Sequence, residues 1–371
     1  MDNQVLKKID QVTDRLMNLG EGAYELDKQA NSQDLKKGIL QRDQGIEEWE
    51  WPQGVGLYGL YKLQTYWQDS RYMNFFNTWY RHHLKKGLPS RNINTTAPYL
   101  PLAELIDQMD TPDIYRDLCI RQADWLMMGL AKTKEGGFQH VTTAIEDRSK
   151  TMPHESELWI DTLFMAVLFL NKMGRKYHRK DWSGEAAHQL LIHIKYLYDK
   201  HSSLFYHGWS FNRMDNFGSI FWCRGNSWFT CALPDYLEDC GKTIDPGFRR
   251  FLIDTYQAQV EALLPLQSPS GLWHTVLTDP DSYEEVSGSA AITAGIQKGL
   301  RMGLLDAGKR AFADRGLEAI CRNIDELGTV RQVSAGTSIG MDADHYKNIV
   351  IRPMAYGQAL ALLALCESLG A

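Results

Sequence analysis

The chain has 371 residues, 44% of them apolar, which is enough for a sizeable core. Its net charge is -6 and no basic run or stripe stands out, so nucleic acid is excluded as the expected partner. The longest apolar runs, 163–170 and 359–366, are too short to span a bilayer, and charges break the opening MDNQVLKKIDQVTDRL where a secretory leader needs an apolar stretch. No membrane contact is therefore expected, and a cytoplasmic location is.

The first element is an amphipathic helix over 3–19, where Val5, Ile9, Val12, Leu16 and Leu19 recur at spacings of three and four. The same period predicts helices over 55–86, 98–131, 158–173, 184–199, 226–238, 247–264, 289–304, 308–326 and 354–369. Strand alternation is scarce, with short hairpins expected near 138–142, 274–277 and 330–333. The six cysteines, at 119, 223, 231, 240, 321 and 366, form no CxxC pair. They read as reduced, mostly buried thiols of a cytosolic protein.

Six segments share one plan, a loop rich in Trp, His, Asn or Gly followed by a helix of small residues. They are EWEWPQGVGLYGL (48–60), RNINTTAPYLPLAEL (91–105) and HESELWIDTLFMAVLFL (154–170). FWCRGNSWFTCALPDYL (221–237), EEVSGSAAITAGIQKGL (284–300) and HYKNIVIRPMAYGQALALLAL (345–365) follow. From the second onward they recur roughly every 65 residues, which fits one helical hairpin with its loops. Gly and Ala in helices suit close packing on all sides, so the small-residue helices form an inner ring and the amphipathic ones an outer ring. The expected fold is an all-α (α/α)6 barrel, with residues 1–371 as one catalytic domain and the entry loops gathered at one mouth. An irregular bundle or solenoid is the alternative.

Several residues at those loops carry possible chemistry. Asp161 lies at the start of an apolar helix beside Trp159. It is either a carboxylate that satisfies helix donors or a general acid whose pKa an aromatic wall raises. Arg224, between Trp222 and Trp228, is either a bidentate partner for a substrate carboxylate or the partner of a buried acid. His140, His207 and His274 each follow a Gly-rich aromatic turn, a place where a lone histidine is more often structural. Trp49 and Trp51 are either sugar platforms or core, and Asn92 and Asn94 either caps or substrate contacts. HExxH is absent, as are a nucleophile elbow, a P-loop and a dinucleotide fingerprint, so neither metal nor cofactor is expected.

Taken in order, WPQGVGLYGLYK, NINTTAP, GGFQH, LWIDTLFMA, LFYHGW, FWCRGNSW, GLWHTV, SGSAA and YGQALALL resemble the unsaturated rhamnogalacturonyl hydrolases of glycoside hydrolase family 105. The resemblance runs from about residue 45 to the end and implies the same barrel. It implies a small acidic oligosaccharide substrate. This is the disaccharide left by pectin lyases, with a C4–C5 unsaturated galacturonyl residue on rhamnose. The reactive group is then a vinyl ether, so one acid can protonate C4 while water adds at C5. Ordinary glycoside hydrolysis instead flanks the bond with two carboxylates. By resemblance Asp161 is that acid, His207, Arg224 and Trp159 bind substrate, Trp228 stacks on the sugar and His140 bonds near the reacting ring. Where the related family 88 enzymes place a second Asp, this chain has Asn92 and Asn94.

Three other readings stay open. The same reaction on an unsaturated glucuronyl end of another oligosaccharide is one. A sugar epimerase on the same barrel is another, and it would depend on histidines rather than on Asp161. A binding module without turnover is the third.

Overall fold

A computed structural model describes residues 2–20, 44–144 and 147–370. The chain opens with α1 (Asp2–Met17), which buries Val5, Ile9, Val12 and Leu16 on one face. α2 (Trp51–Trp67) and α3 (Ser70–Lys86) form a helical hairpin. The next hairpin is made of the short α4 (Ile93–Thr96), α5 (Tyr99–Leu105) and α6 (Pro112–Met128). α7 (Leu168–Lys176), entered through a π-turn at Leu163–Val167, pairs with α8 (Lys180–Leu197). α9 (Cys223–Cys240) pairs with α10 (Pro246–Leu263), and α11 (Val286–Arg301) with α12 (Arg310–Arg322). After the one-turn α13 (Ala343–Lys347), α14 (Ala355–Ser368) packs on α1, so the two ends of the chain build the last hairpin.

α2, α5, α7, α9, α11 and α14 each touch the next, and α14 touches α2, closing an inner ring. Their partners wrap the outside, which makes the fold an (α/α)6 barrel. All six loop-plus-helix segments singled out by sequence lead into this inner ring. The reason lies in their composition. α14 is buried continuously from Ala355 to Cys366, and α2 from Pro52 to Leu60. A Cβ on Gly295 would sit 2.3 Å from the Thr230 carbonyl oxygen, and one on Gly59 2.8 Å from the Ala359 Cβ. Neighbouring inner helices approach so closely that only glycine fits at those two positions.

Local chemistry moves several predicted boundaries. The helix expected over 55–86 breaks at Gln68, which is left-handed (φ 48°), and Asp69 restarts it by accepting from the Arg71 N–H at 2.8 Å. The one expected over 98–131 divides at Ile106–Gln108 and resumes with Pro112 in its first turn. Residues 158–161 are not helical. Glu157–Trp159 form strand β3 (β1 is Val141–Thr143 and β2 Thr151–Pro153), paired antiparallel with β4 (Gly208–Ser210). β5 (Trp273–His274) pairs with β6 (Glu284–Glu285), while Val330 makes only an isolated bridge to Ile324. The expected hairpins near 138–142 and 274–277 are thus present in part, and that at 330–333 is reduced to one bridge.

The inner helices run in one direction, so their C-terminal ends meet away from the entry loops. There a polar cavity of about 300 Å³ is bordered by Tyr58, Lys62, Glu104, Lys172, Asp235 and Asp239. Lys62 and Lys298 both reach Asp235, and Lys172 bridges Glu104 and Asp239 at 2.8 Å each. These charges are paired with one another, and they close that end of the ring. All six cysteines are free thiols, five of them buried. Among the described residues no helix is long and apolar enough to cross a membrane.

Candidate active site

The β3–β4 ladder builds the site. Leu158 pairs with Trp209 and Trp159 with Gly208, and the Ile160 N–H donates to the His207 carbonyl at 2.9 Å. That register sets the side chains of Asp161 and His207 beside each other from strands distant in sequence. Beyond Asp161 the chain turns into the π-segment, whose second and third amides, on Phe164 and Met165, donate to the Asp161 carbonyl at 3.1 and 3.0 Å. Such wide turns recur at functional sites, because they rotate one side chain away from the ordinary helical track.

Asp161 is held from two sides. The Trp228 indole donates to Oδ1 at 3.1 Å, and His207 Nε2 lies 3.3 Å from Oδ2. Oδ2 has no hydrogen-bond partner, although it is buried, so the imidazole is close but off the line of a hydrogen bond. The side chain is 18% exposed against 2% for His207, so of the pair the carboxylate is the group that solvent reaches. His207 Nδ1 in turn lies 2.8 Å from the Tyr346 hydroxyl.

Aromatic rings form the wall. His140 lies flat on Trp159 with centroids 4.1 Å apart and planes 4° apart, and its Nδ1 is 3.3 Å from the Thr162 hydroxyl. His154 leans on the same indole at 4.5 Å, and the Trp159 N–H donates to Glu157 at 2.9 Å. His207 packs on Trp222 at 4.3 Å. On the far side of Trp228, the half-buried Trp51 stands edge-on at 6.2 Å and stacks on Tyr356 at 4.5 Å.

Electrostatics differ from the sequence expectation at one point. Burial does push the Asp161 carboxyl up, but the close approach of His207 and the charges of His207 and His140 outweigh it, and the carboxyl sits below its ordinary value. The raised value expected from an apolar wall is therefore corrected: the wall is of aromatic rings, but those acting on Asp161 include the imidazoles of His207 and His140. Burial lowers His207, with Asp161 pulling the other way, and it lowers His140 strongly. His154 is pushed down to about 4 by burial.

Asp161, His207, Trp228, His140 and Trp159 thus converge as expected, yet several act differently. Trp228 has no exposed surface and donates its indole N–H to the Asp161 carboxylate, so it is not placed to stack on a sugar. Trp49 is corrected from platform to core. It is 1% exposed, donates to the Thr95 carbonyl at 2.9 Å and stacks on Trp79. The tryptophan with free surface at that loop is Trp51. Arg224 is wholly buried. It donates to the Ser334 and Ala335 carbonyls at 2.9 and 2.8 Å and to the Ser287 hydroxyl at 3.2 Å, and Glu285 lies 3.9 Å away. It is part of the wall rather than of its surface. Asn92 is a cap, accepting from the Thr95 N–H and donating to the Thr143 hydroxyl, each at 2.9 Å. Asn94, half-buried at the entry of α4, makes no side-chain hydrogen bond among the described residues. His274 bonds the Ser282 carbonyl through Nδ1 at 2.5 Å, a structural role.

Sequence reasoning missed Tyr346 and Glu285. Both lie inside segments already marked as inner-ring entries, so the signal was their position after a turn and before a helix. The buried Glu285 caps α11 by accepting from the Ser287 and Gly288 amides at 3.1 and 2.6 Å.

A helical barrel that sets a solvent-reached carboxylate on an aromatic wall suits an enzyme acting on carbohydrate, and the comparisons agree. The model of "Glycosyl Hydrolase Family 88" matches residues 25–370. The unsaturated rhamnogalacturonyl hydrolase YesR of Bacillus subtilis is 33% identical over 86% of this chain and 90% of its own length. A solved structure titled as a possible member of the GH105 family, from Salmonella enterica serovar Paratyphi A, is 34% identical with a TM-score of 0.89, covering 100% of this chain and 94% of its own. The unsaturated glucuronyl hydrolase of Bacillus sp. GL1 shares the fold at 17% identity and a TM-score of 0.67, over 98% of this chain and 96% of its own. The chain belongs to glycosyl hydrolase family 88 and is a glycoside hydrolase, and the family resemblance drawn from its motifs is borne out.

Proposed function

We propose that this enzyme removes the C4–C5 unsaturated galacturonyl residue from short rhamnogalacturonan oligosaccharides, a late step of pectin breakdown in the cytoplasm. The observation that carries the reading is a partly exposed carboxylate, Asp161, held by the Trp228 indole on one oxygen and faced by His207 on the other. One acid suffices for a vinyl ether. Asp161 gives a proton to C4, and cationic character develops at C5. Water adds there and returns a proton to Asp161. The hemiketal then opens and expels rhamnose, with one water consumed. Trp51 and Asn94, which keep free surface at the mouth, are the side chains best placed to meet the sugar, and the substrate is taken up without cofactor. Similarity to YesR over most of both chains supports galacturonyl over glucuronyl.

The test is a matched pair of disaccharides. Unsaturated galacturonyl-rhamnose is expected to be cleaved, and its saturated counterpart, which has no vinyl ether, to be inert. Equal cleavage of both would refute hydration as the mechanism. Intact lyase-treated polymer is expected to turn over far more slowly than the disaccharide.

A pH profile follows from the site. Asp161 is ionised above its lowered value, and His207, faced by Asp161, Tyr346, Arg224 and His345, has lost its extra proton by its ordinary 6.5. The pair therefore holds a transferable proton only on the acid side of that value. kcat/KM, which reports the free enzyme, is expected to decline as pH rises through the range below 6.5. A profile that climbs into the alkaline range would contradict the assignment.

A further inference from the structure

The geometry points to Tyr346 as a positioning residue of the catalytic acid: its hydroxyl fixes the tautomer of His207 and so places the imidazole proton on Nε2, the nitrogen nearest Asp161. This rests on the reading of Asp161 as the acid. Tyr346 reaches the site from the last loop of the barrel, 139 residues from His207 along the chain.

The direction of each hydrogen bond follows from what each atom can do. The Gly340 N–H is a donor only, and it meets the Tyr346 oxygen at 3.1 Å. The hydroxyl oxygen thus accepts there and keeps its own proton for the other neighbour, His207 Nδ1 at 2.8 Å. Nδ1 then accepts, and the imidazole proton is left on Nε2, the atom 3.3 Å from Asp161 Oδ2. The opposite tautomer would give the phenol two donors to accept and leave its own proton without a partner.

The tyrosine itself is held in place. It is 1% exposed and packs on Trp222 and Val276, and its carbonyl accepts from the Tyr283 hydroxyl at 3.2 Å. The loop before it is tied back by His345, whose Nε2 lies 2.8 Å from the Thr337 hydroxyl and 3.0 Å from the Ser338 carbonyl. The loop also sits tightly on the strand that carries His207, since a Cβ on Gly208 would meet Ile339 at 2.3 Å.

The chemical consequence falls on the proton-transfer step. As Asp161 gives its proton to C4 it becomes an anion, and a proton on the imidazole nitrogen 3.3 Å from Oδ2 stabilises that anion and needs only a small ring rotation to donate to it. Tyr346 touches no reacting atom and acts only through the imidazole.

Two measurements test this. In the wild-type enzyme labelled with ¹⁵N-histidine, with His207→Gln used to assign the signals, His207 is expected to show a protonated Nε2 and an unprotonated Nδ1. In Tyr346→Phe that preference is expected to be lost. kcat is expected to fall roughly tenfold, the worth of one hydrogen bond, with KM within about twofold. A wild-type spectrum with Nδ1 protonated overturns the proposal whatever the substrate. So does a Tyr346→Phe enzyme that keeps the wild-type tautomer and kcat. Inactivity toward unsaturated uronides with the expected spectra overturns the proposed function and leaves the tautomer assignment standing.

Discussion

Asp161→Asn is expected to lower kcat on the unsaturated disaccharide by about a thousandfold, within the range for loss of a general acid. The amide keeps the shape of the carboxylate and can still meet the Trp228 indole through its oxygen, so binding and melting temperature are expected to change little. What it lacks is a proton to give to C4 and a base to take one from water. The epimerase reading makes the opposite claim, with activity lost on changing histidines and retained in Asp161→Asn. His207→Gln separates the two further. It leaves the acid in place but removes its charge partner, so a partial loss is expected rather than abolition.

Asp235→Ala is expected to have the largest effect on stability, a loss of about 3–5 kcal/mol. Asp235 takes the Tyr58 hydroxyl at 2.6 Å and Lys62 at 3.1 Å, and Lys298 closes on it as well. Side-chain exposure is 10% for Asp235, 16% for Lys62 and 5% for Lys298, so removing the carboxylate strands two cations in a poorly solvated place. Glu238, 2.6 Å from Lys298, compensates for only one of them. Burial raises the Asp235 carboxyl, but the two ammonium groups and the Tyr58 hydroxyl outweigh it and hold it far below the usual range. Its folded value is thus depressed. The stability it contributes is complete above the unfolded value near 3.8 and is lost as pH falls toward the folded one. Thermal melts of wild type and Asp235→Ala at neutral pH check the first claim. A triple change of Lys62, Asp235 and Lys298 to apolar residues of similar size is expected to cost much less than Asp235→Ala, because no unpaired charge remains.

The barrel was legible because inner-ring packing leaves a mark in composition. Glycine and alanine runs such as GSAAITAG and AYGQALALLAL are buried on all sides, and a helix outside a ring has no reason to be. Asp161 was legible for a related reason, as a carboxylate set among apolar neighbours. Its surroundings were not, because the β3–β4 pairing that brings His207 beside it joins strands about 50 residues apart by three-residue ladders too short to leave a period. Trp49 and Trp51 show the same limit at closer range. Two residues apart in EWEW, one is sealed against Trp79 and the other faces the mouth, and no local pattern distinguishes them. Arg224 was ambiguous between binder and buried partner, since the cue was its aromatic flanks. Trp222 is one of them and carries the guanidinium on its face at 4.5 Å, which suits a buried arginine as well as an exposed one.

The measurement that bears most directly on the central claim is the ultraviolet absorbance of the conjugated alkene in unsaturated galacturonyl-rhamnose, followed with wild type and Asp161→Asn side by side. The wild-type enzyme is expected to abolish the absorbance while releasing an equal amount of rhamnose, and the variant to leave both unchanged on the same timescale. Loss of absorbance at the wild-type rate in Asp161→Asn would contradict the account, as would no loss with either enzyme.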